Sequence, residues 1–125
     1  MLDTYYYEGY EGEAEVKVWS EDNGNENGIV IWIGFFNTIM EGCFSSDFSP
    51  NGILECYVNQ DGFYDDKWEM KYPYVVLEEL NRFDERVLST RDEDIIKKSK
   101  EIITQLVSLI NRAASNGSEI FIEYN

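Results

Sequence analysis

No histidine occurs among the 125 residues of this chain. Without an imidazole there is no Ser–His or Cys–His nucleophile pair, no histidine general base and no histidine metal ligand. Cysteine is scarce too. Cys43 and Cys56 are the only thiols, too few for a zinc site made of cysteine alone. Buried reduced thiols, rather than a disulfide, are the expectation for a cytosolic chain. Bases number ten against twenty-five acids, a formal net charge of −15. Such a deficit of positive charge argues against nucleic acid or an anionic membrane as a direct partner. No apolar run reaches membrane-spanning length, since Ile29 to Phe36, the longest, includes Gly34. Met1-Leu2-Asp3-Thr4-Tyr5 has neither a basic n-region nor an apolar h-region, so the cytoplasm is the expected compartment.

Two loop signatures also fall short. Gly24-Asn25-Glu26-Asn27-Gly28 lacks the Lys-Ser/Thr of a phosphate loop, and its carboxylate repels phosphate. Asn23-x-Asn25-x-Asn27-Gly28 has the opening spacing of a calcium loop, but Gly34 stands where the bidentate glutamate belongs. A hairpin turn is the plainer reading. The paired carboxylates Asp65-Asp66 with Glu69, and Asp22 with Glu26, are read as solvated acidic edges, because no substrate-binding motif accompanies them. Cys43 has no base to activate it. No catalytic residue, metal or cofactor is expected.

What is present is a strongly specified helix. From Thr90 to Gly117, Ile95, Ile96, Ile102, Ile103, Leu106, Val107, Leu109, Ile110, Ala113 and Ala114 form one broad stripe. Thr90 and Glu93 have capping-box spacing, Asp92, Glu93 and Asp94 suit the positive end of the helix dipole, and Asn116-Gly117 supplies a left-handed stop. Such a helix needs an apolar sheet to lie on. The spacing predicts a strand over Leu2–Tyr7 and another over Glu13–Trp19. In the latter, Ala14, Val16 and Val18 lie on one face and Glu13, Glu15, Lys17 and Trp19 on the other. A polar loop over Ser20–Gly28 then joins to a central strand over Ile29–Phe36. Further strands are expected within Met40–Phe48, ending near Cys43-Phe44, at Ile53–Val58 and at Phe63–Tyr72, with turns at Ser49-Pro50-Asn51-Gly52 and Gln60-Asp61-Gly62. A short helix is predicted over Tyr74–Phe83, and a last strand over Ser118–Asn125 with Ile120, Ile122 and Tyr124 opposite Glu119, Phe121 and Glu123. The expected fold is a single α+β domain spanning residues 1–125. It has a twisted, mostly antiparallel sheet with the long C-terminal helix and a short helix packed on one face.

The acids are unevenly spread. Residues 1–72 carry fifteen acids and three bases, whereas residues 73–125 carry ten acids and seven bases. The negative field therefore belongs to the sheet half. Acids also interleave with aromatics: Tyr5, Tyr6, Tyr7 and Tyr10 among Asp3, Glu8, Glu11 and Glu13, and Phe63, Tyr64 and Trp68 among Asp61, Asp65, Asp66 and Glu69. Rings ringed by carboxylates suit a face that binds a basic protein, with the rings as anchors and the acids steering Lys and Arg. The candidate contact residues are Tyr7, Tyr10, Glu11, Asp22, Glu26, Asp61, Tyr64, Asp65, Asp66, Trp68 and Glu69.

In size, acidity, lack of catalytic residues and α+β texture the chain resembles the small immunity proteins of bacterial toxin–immunity systems. The resemblance implies a cytosolic inhibitor without turnover, whose partner is a basic toxin domain such as a nuclease. Two other readings share parts of this pattern. One is a nucleic-acid-mimicking inhibitor such as an anti-CRISPR protein, and the other is a small-ligand or structural α+β module.

Overall fold

The computed structural model describes residues 1–45, 49–59 and 67–124. Strand β1 (Leu2–Asp3) is followed by a 3₁₀ turn at Tyr5–Tyr7, then by β2 (Glu15–Asp22) and β3 (Asn25–Trp32). Helices α1 (Ile33–Cys43) and α2 (Ile53–Val58) precede the short strand β4 (Trp68–Glu69). Helix α3 (Pro73–Asn81), a 3₁₀ turn at Glu85–Val87, helix α4 (Glu93–Asn116) and strand β5 (Glu119–Tyr124) complete the chain. The fold is α+β. Its sheet has the order β1-β3-β2-β5-β4, antiparallel throughout except where β1 runs parallel to β3.

The β2–β3 hairpin is tighter than the polar loop predicted over Ser20–Gly28. Both strands continue to a two-residue turn at Asn23-Gly24, with φ of 52° and 82°. Asparagine and glycine tolerate this left-handed backbone, and such a turn matches the twist of paired strands. Register then fixes the faces. Val16 lies opposite Ile31 and Tyr124, and Val18 opposite Ile29 and Ile122. These side chains meet Phe35, Phe36, Ile39 and Met40 of α1 and Ile102, Leu106 and Ile110 of α4 in the main core. The helices therefore cover one face of the sheet, as the long amphipathic stripe requires.

Four predicted strands are corrected. The apolar run Ile29–Phe36 is strand only to Trp32, and its remainder opens α1. Phe35, Phe36, Ile39, Met40 and Cys43 are all buried, at spacings that place them on one side of a helix, so the predicted strand at Met40–Phe48 is also helical as far as Cys43. Ile53–Val58 forms helix α2, burying Ile53, Leu54 and Cys56. Leu2–Tyr7 is extended only at Leu2–Asp3 before the 3₁₀ turn. Within Phe63–Tyr72, the described strand is Trp68–Glu69, and the turn predicted at Gln60-Asp61-Gly62 lies outside the described residues.

Helix α4 carries its own stop and start. Gly117 is left-handed at φ 68°, and its N–H donates to the carbonyls of Ala113 and Ala114. The start differs from the capping box. Asp92, not Thr90, is the N-cap, and its Oδ1 accepts from the amides of Asp94 at 3.0 Å and Ile95 at 3.2 Å. Thr90 sits a step earlier and accepts from Asp92 N. An aspartate both caps and complements the dipole, which favours it over threonine here.

Candidate acidic interface on the sheet

Alternation along each strand sends every second side chain to the face opposite the helices. Across β3, β2 and β5, Glu26, Glu21 and Glu119 stand directly opposite one another in one row. The next row holds Gly28, Trp19, Phe121 and Glu69, and the one after it Val30, Lys17 and Glu123. Glu15 lies opposite Trp32 at the far end. Like charges directly opposite each other destabilise a sheet; here Lys17 and Lys67 offset Glu26 and Glu21, while Glu119 takes part in no ion pair among the described residues.

The centre of this face is apolar and closed. Trp19 is 2% exposed and Phe121 5% exposed, their rings 5.6 Å apart. Trp19 lies across Gly28, where a Cβ would meet Trp19 Cβ at 2.7 Å and the Val18 carbonyl oxygen at 2.1 Å. Two lysines roof the pair. Lys17 Nζ lies 4.2 Å from the Trp19 ring centroid and 2.9 Å from Glu26 Oε1. Lys67 Nζ lies 4.1 Å from the Phe121 centroid and 3.6 Å from Glu21 Oε1. The Trp19 indole N–H donates to Glu21 Oε1 at 3.1 Å. That bond, followed by the nearby charges of Lys67 and Lys17, holds the Glu21 carboxyl below the usual glutamate range. Glu69 and Glu119 are exposed, and among the described residues Glu69, Glu119 and Glu123 take part in no ion pair.

The candidate residues from sequence divide into separate places. Glu26 and Glu69 lie on this acidic face, and Asp22 sits beside the hairpin tip. Trp68 points the other way: it lies opposite Ile122 and packs, half-buried, against the main core. Tyr7, Tyr10 and Glu11 belong to the N-terminal segment. Tyr10 stacks on Trp32 at 4.1 Å and an interplanar angle of 7°. Tyr7 Oη donates to the Glu13 carbonyl at 2.6 Å, and Glu11 accepts from Gly9 N, which with its own backbone amide holds its carboxyl low. Trp32 and the hairpin tip are at opposite ends of β3, about 23 Å apart for an eight-residue strand. The two groups therefore do not converge. Asp61, Tyr64, Asp65 and Asp66 lie outside the described residues.

Other tyrosines are structural. Tyr6 is buried and donates to Glu101 Oε1 at 3.0 Å, and burial, with help from that carboxylate, pushes its phenol up to about 12. Cys43 and Cys56 are buried free thiols, each pushed up to about 12 by burial, which leaves them unreactive as nucleophiles. Sequence reasoning did not select Glu15, Glu21, Glu119 or Glu123. Their outward direction follows from strand alternation, but the register that lines them up comes only from pairing.

A cleft of about 660 Å³ lies between α2 and β4, lined by Asn51, Glu55, Asn59, Lys67, Glu69 and Lys71 with Trp68 and Tyr72. Its charged lining is two glutamates and two lysines. Among the described residues no group of three or more Asp, Glu or Cys is placed to hold a metal ion, and no helix is long and apolar enough to cross a membrane. No protein-family model matches the chain, and neither a curated protein nor a solved structure matches it significantly.

Proposed function

We propose that this protein is a non-catalytic inhibitor that occupies a basic surface of another protein through the outer face of its sheet. The observation that carries this reading is the row Glu26, Glu21 and Glu119, aligned across three adjoining strands. A sheet arranged for stability alone would alternate charges there. Glu15, Glu69 and Glu123 extend the same field, while cations are concentrated on residues 82–112. A cationic partner would pair with Glu69, Glu119 and Glu123, which take part in no ion pair among the described residues, and the field steers its approach. The partner class that fits is a protein whose own active surface is positive because it binds phosphate, such as a nuclease toxin domain. In that role the protein is an immunity protein of the cytoplasm.

On this face the Trp19 and Phe121 side chains are buried, and carboxylates rim them. The test is capture of a basic protein from the native host on immobilised protein at low salt, followed by association kinetics. The reading expects an on-rate that falls steeply with rising ionic strength. Capture of only neutral or acidic proteins, or an on-rate indifferent to salt, refutes it.

A further inference from the structure

We infer that Trp19, Phe121 and Glu21 form a receptor for one ammonium or guanidinium group of the partner, and that Lys67 fills this receptor in the free protein. The inference rests on the acidic-face reading for its occupant, but its geometry stands on the chain alone. The Lys67 ammonium is 4.1 Å from the Phe121 centroid, 6.0 Å from that of Trp19 and 3.6 Å from Glu21 Oε1. Aromatic faces and a carboxylate around one cation are the chemistry of an ammonium-binding cage. The cage is also built in advance. The Trp19 N–H holds the Glu21 carboxylate in place, and at Gly28, opposite Trp19, there is no room for a Cβ against the Trp19 Cα and Cβ.

The two roofing lysines differ in how they are held. Lys17 is in the middle of β2, paired with β3 on one side and β5 on the other, and its side chain is 18% exposed. Lys67 precedes the two-residue edge strand β4, and its side chain is 39% exposed. The Lys17 ammonium is held by a 2.9 Å pair with Glu26, whereas Lys67 is more exposed and its pair with Glu21 is longer, at 3.6 Å, so the Lys67 ammonium is the more readily displaced of the two. A lysine or arginine from a partner therefore exchanges with Lys67, keeping both the carboxylate and the rings satisfied.

The test uses butylammonium chloride, exchanged for sodium chloride at constant ionic strength, with the Trp19 indole N–H resonance as the reporter. Lys67→Gln is expected to bind the probe saturably and at least fivefold more tightly than wild type. Lys71→Gln, with the same change of charge, is expected to match wild type. Adding Glu21→Gln to Lys67→Gln should abolish the saturable shift. Equal responses of Lys67→Gln, Lys71→Gln and wild type would overturn the inference, as would a shift that survives Glu21→Gln. The readout needs no partner protein. A cage that loads the probe while no basic protein is captured leaves this inference standing and refutes only the partner reading.

Discussion

Glu79 of α3 caps α2: its Oε1 accepts a 2.8 Å hydrogen bond from the Ile53 amide, although the two residues are 26 positions apart. The N-cap position itself is Gly52, which offers no side chain, and a Cβ there would meet Glu79 Oε1 at 2.1 Å. The carboxylate is 1% exposed, and Oε2 makes only a long 3.9 Å approach to Arg82. Burial raises the Glu79 pKa, against the lowering effect of the Ile53 and Leu54 amides and of Arg82.

Glu79→Ala removes the cap and is expected to cost about 1–2 kcal/mol in urea unfolding at neutral pH. The pH dependence has a definite sign. A raised pKa means that the folded state holds the proton more tightly than the unfolded state, so this group's contribution to stability falls as pH rises above the ordinary value of 4.5. The stability of wild type relative to Glu79→Gln should therefore decline as pH rises through that window. A flat or rising difference would show that the carboxylate is not buried in this way.

Asp92→Ala is expected to destabilise the protein by about 1 kcal/mol, because two amides of the first turn of α4 lose their acceptor. Thr90→Ala should cost less, since Thr90 accepts only from the Asp92 amide ahead of the helix. Chemical denaturation of the two variants ranks them, and the reverse order would restore the capping box read from sequence.

The sheet should gain stability when its charge row is broken. Glu119→Gln removes a charge opposite Glu21 and is expected to raise stability by about 0.2–1 kcal/mol, an effect that shrinks as salt rises. The same change is expected to weaken partner binding, the trade-off seen where function opposes stability. A thermal melt at low and high salt checks the first part, and a lower melting temperature would contradict it.

Legibility in the sequence followed how much of each pattern is local. Helix α4 was readable because its stripe and its Asn116-Gly117 stop lie within one segment. The faces of β2 and β5 were readable from alternation of Val16 and Val18 with Lys17 and Trp19, and of Ile120 and Ile122 with Glu119 and Phe121. The join of β3 to α1 was not. Trp32 makes no side-chain cap, no polar residue separates it from Ile33, and the run stays apolar across the boundary. The helical signal is nonetheless present from Phe35 through Ile39 to Cys43, masked by the apolar run Ile29–Phe36 that continues across the strand–helix boundary. Six-residue α2 is too short for period alone to separate helix from strand. Its cap comes from Glu79, far along the chain. The acidic face needed register, which no single strand contains: Glu21 meets Glu26 and Glu119 only once three strands are paired.

The most direct test of the account compares two doubly reversed proteins of equal net charge against the basic protein captured by wild type. Glu119→Lys with Glu123→Lys alters the sheet face, and Glu78→Lys with Glu93→Lys alters exposed acids on α3 and α4. The account predicts at least a tenfold loss of affinity for the first pair, carried mainly by a slower on-rate, and little change for the second. Equal loss in both would reduce the effect to net charge, and undiminished binding by the sheet-face pair would contradict the account outright.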